Sequence, residues 1–215
     1  MQKLPELAGM DLAALLCSRV CHDIISPVGA IANGLELLDD ESSDAETSDI
    51  AMELIRASAK NASARLQFAR IAFGAAGSAG AHIDTGDAEN VARAFFDNEK
   101  KTDLEWHGER ALLPKNKVKL LLNMLLVGLG AIPRGGVVKA EIEDPNGEAR
   151  LIVTATGAKS RVPGAFANLL NGTFEEDLDA HAVQPVYTLQ LAQATEYNVS
   201  AIVEGESVIL KANAA

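Results

Sequence analysis

The sequence predicts an α+β chain, in which an antiparallel hairpin of two long helices is followed by an α/β sandwich. Two observations carry this. Up to about residue 73 the apolar side chains recur at threes and fours, the period of an amphipathic helix. Past the small-residue run at 74–80 the pattern breaks into shorter segments, several alternating with a period of two. That run reads as a linker, dividing the chain into a helical domain at 1–78 and an α/β domain at 79–215.

The first helix is expected over 11–38, where Leu12, Leu15, Leu16, Ile24, Ile31, Leu35 and Leu38 make one stripe. A polar run, Asp39-Asp40-Glu41-Ser42-Ser43-Asp44, then stops it, and Ser43 with Glu46 has the form of a capping box opening a second helix. That helix carries Ile50, Leu54, Ile55, Leu66, Ala69 and Phe73. So short a loop makes the two helices antiparallel neighbours. With Leu38 opposite Ala45, counting equal numbers away from the loop puts His22 level with Asn61. A hairpin of this kind leaves too much apolar surface to stand alone, so two copies are expected to pair into a dimeric four-helix bundle.

Beyond the linker we expect a helix at 87–98, a short strand at 104–107, and a buried helix at 115–130 with Pro114 in its first turn. A strand at 137–143 turns Val138, Ala140 and Ile142 inward and Lys139, Glu141 and Glu143 outward. The turn Asp144-Pro145-Asn146-Gly147 leads to a strand at 150–156. Helices near 163–171 and 183–196 precede a last hairpin, 199–203 and 208–212, turned at Glu204-Gly205-Glu206. Together these make a sheet covered by helices.

Composition narrows the function. The 215 residues are 48% hydrophobic but only 4% aromatic, so the cores must rest on Leu, Ile, Val and Ala. A net charge of −11 with no basic stripe argues against nucleic acid as a partner. No apolar run approaches the roughly 20 residues that span a bilayer, and the first six residues lack signal-peptide regions. A cytoplasmic protein with no membrane partner is expected. Cys17 and Cys21 stand one turn apart on a helix, a geometry unsuited to a disulfide, and are expected to be buried small apolar residues. The same run, ending in His22, misses the haem-attachment spacing by one residue. As a zinc site it lacks a fourth ligand, with His22 about 100° around the helix from Cys21. No intrinsic cofactor or metal is expected, and His82, His107, His181 and Trp106 read as structural.

The stretch richest in chemistry is His22-Asp23-Ile24-Ile25-Ser26-Pro27. A proline inside a helix costs roughly 3 kcal/mol, through a lost backbone bond and a clash four residues back. Here the affected carbonyl belongs to Asp23, so a bend is expected beside the histidine. Ser26, one turn on, brings a hydroxyl to the same face as His22. Taken alone, one histidine on a helix is usually an ordinary polar or interface residue. The pattern, however, resembles the phosphoacceptor box of histidine kinases, a histidine followed by an acidic residue and then a proline. The resemblance implies that His22 carries a phosphoryl group. Asp23 would then orient the ring or offset its charge, with Ser26 and Pro27 completing the site. Arg19, Arg56, Lys60 and Asn61 are the expected partner-contacting residues, the cations offsetting phosphoryl charge. The small residues at 57–64 would admit a partner's loop, or simply allow tight helix packing.

The second domain resembles the ATP-binding domain of histidine kinases, the fold shared with gyrase and Hsp90-type ATPases, in element order but not in chemistry. Where that family pairs two asparagines to hold magnesium, this chain has Asn123 and Val127. Where an aspartate reads adenine, it has Ala155, and the segment 179–186 that should wrap the phosphates contains no glycine. A domain lacking all three contacts would not use ATP. The whole chain resembles the ChpT-type histidine phosphotransferases of alphaproteobacterial phosphorelays, most specifically at 21–27 and 66–75. This resemblance implies a homodimer that takes phosphate from the receiver domain of a hybrid histidine kinase. His22 would then pass it to response-regulator receiver domains governing the cell cycle, with Mg2+ supplied by the partner. The rival expectations are a non-catalytic dimeric binding or inhibitory module with a silent His22, and an authentic ATP-using kinase.

Overall fold

A computed structural model of the chain describes residues 4–5, 8–40, 44–74, 81–174, 179 and 182–215. Two long helices, α1 (Gly9–Asp39) and α2 (Ala45–Ala72), form the antiparallel hairpin. The α2 cap is Asp44, whose carboxylate accepts the Thr47 N–H at 2.8 Å. The expected Ser43–Glu46 box falls partly outside the described residues, at Ser43. The Thr47 hydrogen bond holds the Asp44 carboxyl below its usual range. A depressed carboxyl stabilises fully above its unfolded pKa and loses that contribution as pH falls through the folded value. Asp44→Ala should lower the Tm at neutral pH, and the difference from the natural chain should shrink in melts taken below about pH 4.

α1 runs unbroken through Pro27, which is buried, so the proline leaves the Asp23 carbonyl without its helical donor while the helix continues. Register is set by Gly34, where a Cβ would stand 2.6 Å from Ile55 Cγ1 and 3.3 Å from the Ala51 carbonyl. Close approach there offsets the helices by about one turn from the equal-count expectation, and Asp23 and Ile24 meet Arg65, Phe68 and Ala69. His22 is thus level with Arg65 rather than Asn61. Cys17 and Cys21 are exposed, not buried, because they sit on the side of α1 turned away from α2. That side also exposes Met10, Ile25, Val28 and Leu35. By length and composition α1 is apolar enough to cross a bilayer, with a mean hydropathy of 1.3 in its most apolar window, contrary to the expectation that no such run exists.

The remaining elements are β1 (His82–Asp84), α3 (Thr85–Phe96), β2 (Thr102–His107), β3 (Leu112–Pro114), α4 (Lys115–Ala131), β4 (Gly136–Glu143) and β5 (Arg150–Thr156). They continue with α5 (Gly164–Asn171), α6 (Val183–Ala194), β6 (Tyr197–Glu204) and β7 (Ser207–Ala214). Five strands pair in the order β2-β4-β5-β7-β6, all antiparallel except β2 with β4. Alternation puts Val138, Val153 and Leu210, with their neighbours two residues away, on one buried face. α3, α4 and α6 cover it. β1 and β3, which pair antiparallel, escaped the sequence reading because three residues show no period. Pro114 caps α4 instead of lying within its first turn.

The core does not stop at the linker. Phe68, Ile71 and Ala72 of α2 belong to the same buried cluster as the sheet and α4, and the Phe68 ring lies 4.6 Å from that of Phe95. The expected boundary between residues 78 and 79 falls outside the described residues.

Candidate functional site

His22 stands midway along α1 with 60% of its side chain exposed. Its Nδ1 lies 3.4 Å from Asp23 Oδ1, and Asp23 Oδ2 accepts from Arg19 Nε–H at 3.0 Å. An ionised carboxylate only accepts, so the His22–Asp23 contact requires the proton on Nδ1. In the neutral ring this puts the lone pair on Nε2. Arg19 and Asp23, one turn apart on the same face, are 22% and 27% exposed and lie in the seam between α1 and the α/β layer. Ser26 is exposed one turn beyond the ring. The arrangement offers a reachable imidazole nitrogen whose opposite nitrogen is held by a carboxylate.

The expected partner residues separate into two groups. Arg19 joins the site directly. Arg56 and Lys60 are exposed on α2, nearer the hairpin loop than the level of His22, and Asn61 accepts a hydrogen bond from Arg65 Nε at 2.9 Å. The residue missed from sequence is Arg65, which lines a small cavity with Asp23 and Phe68, pairs with Glu99 at 2.7 Å and lies over the Phe95 ring.

The comparisons with known proteins decide the family. Residues 85–207 match the profile of the histidine phosphotransferase C-terminal domain. The protein phosphotransferase ChpT of Brucella abortus (strain 2308) is 57% identical over 207 residues, 96% of this chain and 97% of its own. The chain belongs to the histidine phosphotransferase family. A solved structure of a bacterial phosphotransferase is 54% identical, with a TM-score of 0.90 over 98% of this chain and all of the other. As a histidine phosphotransferase, the protein is an enzyme of phosphorelay signalling, with the α+β architecture expected of it.

In this histidine phosphotransferase Asn123 has become a joint. The side chain is fully buried, and Nδ2–H donates to the carbonyls of Ala72, at the end of α2, and Lys119, at 3.0 and 2.9 Å. Gln184 of α6 donates through Nε2 to the Asn123 carbonyl and to Thr188 Oγ1, both at 2.9 Å. One asparagine thereby ties the hairpin, α4 and α6 together. Burial, with Lys115 one turn back, pulls the Lys119 ammonium below its ordinary value beside this network. Val127 and Ala155 are core residues, and Gln184 and Pro185 are buried in the first turn of α6. Residues 180–181, including His181, lie outside the described residues.

Proposed function

We propose that His22 is the phosphoacceptor through which the protein relays a phosphoryl group between receiver domains. The observation that carries this reading is the exposed His22 ring with Nδ1 turned to Asp23. Nε2 attacks the phosphorus of a receiver's phosphoaspartate in line. The N–P bond forms as the acyl-phosphate O–P bond breaks, and its electron pair leaves on the aspartate carboxylate. The ring becomes cationic, and Asp23 stabilises it through Nδ1–H. The reverse sequence delivers the group to a second receiver.

The donor is the receiver domain of a hybrid histidine kinase and the acceptors are response-regulator receiver domains, each bringing its own Mg2+. Ser26 contacts the incoming phosphoryl group, Pro27 opens the backbone beside Asp23, and the exposed Arg56 and Lys60 meet the receiver's acidic surface. Asn61 contributes by holding Arg65. The chain works as a cytoplasmic homodimer without nucleic-acid or membrane partners. Support for the dimer is the uncovered apolar face of α1 and α2, with Ile25, Val28, Leu35, Ile50, Leu54 and Leu66 exposed in the single chain. It uses no ATP: Asn123 and the start of α6 are packed into the joint between hairpin and layer.

The test incubates the protein with a hybrid-kinase receiver domain labelled by 32P-acetyl phosphate and Mg2+, and in parallel with γ-32P-ATP and Mg2+. Acid-labile label should reach the protein from the receiver and none from ATP. Label from ATP would restore the kinase reading, and none from any receiver would favour the silent module.

A further inference from the structure

The geometry points to Arg19 as a positioning residue for phosphoryl transfer, acting through Asp23 on the tautomer and orientation of His22. This rests on His22 being the phosphoacceptor.

Adjacent helical residues project about 100° apart, so Asp23 reaches the neighbouring ring only in a selected side-chain conformation. Arg19 supplies the selection. It lies at i−4 to Asp23 and takes Oδ2 at 3.0 Å, leaving Oδ1 directed at His22 Nδ1. The Arg19 side chain is only 22% exposed and lines a groove of about 390 Å³ with Leu126 and Val127 of α4, Phe166 of α5, and Gln184 and Pro185 of α6. The second domain thus reaches the acceptor through a chain of three side chains, Arg19 to Asp23 to His22. Gln184, which also lines this groove, is the residue that donates to the Asn123 carbonyl.

Charge gives the same answer. A phosphoryl group arriving on Nε2 brings negative charge within a few ångströms of the Asp23 carboxylate, and Arg19 offsets that carboxylate without leaving it unpaired. Lysine would keep the charge but cannot present Nε–H in the plane of a fork, so it should restore only part of the effect.

The experiment compares Arg19→Met, Arg19→Lys and Asp23→Asn in the full chain, first checked for native circular dichroism. With the labelled hybrid-kinase receiver as donor, Arg19→Met should lower the maximal transfer rate about 10–100-fold, by analogy with the loss of a group that orients a metal-bound histidine. Receiver KM should stay within about threefold, so that the rate change dominates. Long-range 1H–15N spectra of the neutral His22 ring should show the Nδ1–H form in the natural protein. In Arg19→Met and Asp23→Asn it should mix with Nε2–H, and Arg19→Lys should lie between. A KM rise with an unchanged maximal rate would make Arg19 a docking contact and overturn the assignment, as would an unchanged tautomer and rate. A His22→Ala variant that still accepted label would instead defeat the phosphoacceptor reading itself.

Discussion

Replacement of His22 by alanine should reduce acid-labile labelling from a phosphorylated receiver to background, a loss of more than about 10⁴-fold, as expected when a covalent nucleophile is removed. The size of the effect follows from the mechanism. His22 forms and breaks the N–P bond, and the ring that would vanish is 60% exposed with Nδ1 on Asp23. The substitution should leave the fold intact, because His22 contributes nothing to the buried cluster and alanine is the best helix former. Circular dichroism and the thermal midpoint should therefore stay close to those of the natural chain while transfer disappears. Quench-flow labelling of both proteins against one receiver preparation measures the ratio.

The largest stability effect is expected at Asn123. Asn123→Ala removes two donated hydrogen bonds, leaving the Ala72 carbonyl buried without that partner, and opens a void beside Gln184. The expected cost is about 2–4 kcal/mol, read as a lower urea midpoint with an unchanged slope. The slope should hold because α2 and the α/β layer share one core through Phe68 and Ile71, so hairpin and layer unfold together. A kinase-like metal role for the same residue would give the opposite result, with stability nearly unchanged and nucleotide binding lost.

Much of the architecture was legible because it rests on period. α1, α2 and α4 are long and carry apolar stripes, and β4, β5 and β7 alternate cleanly, so their positions followed from the chain. Features decided by a single contact were not legible. The helix offset depends on Gly34 nesting against Ile55, which counting from the loop cannot see. The α2 cap depends on the reach of Asp44 to the Thr47 amide, which the polar run before the helix does not single out. Cys17 and Cys21 look like core residues by type, yet their positions face away from α2.

The site shows the same division. His22, Asp23, Ser26 and Pro27 stood out as a motif, and the Arg19–Asp23 pairing was present in the i,i+4 spacing without being drawn. Arg65 became visible only once Asp23 and Phe68 were seen around it, since its partner Glu99 comes from α3's trailing turn, far along the chain. In the sequence Asn123 stands out by the metal-binding partner missing at Val127. Its hydrogen bonds to α2 and from α6 depend on tertiary packing that no local pattern announces.

The account turns on where the phosphoryl group rests. Fragmentation mass spectrometry of the natural chain, quenched at alkaline pH after exposure to a phosphorylated receiver and digested under conditions that keep phosphoramidates intact, reads that position directly. The account predicts one modified peptide, phosphorylated on the His22 ring. Phosphate found on any other residue, or a His22 peptide that stays unmodified while label accumulates in the protein, would contradict it.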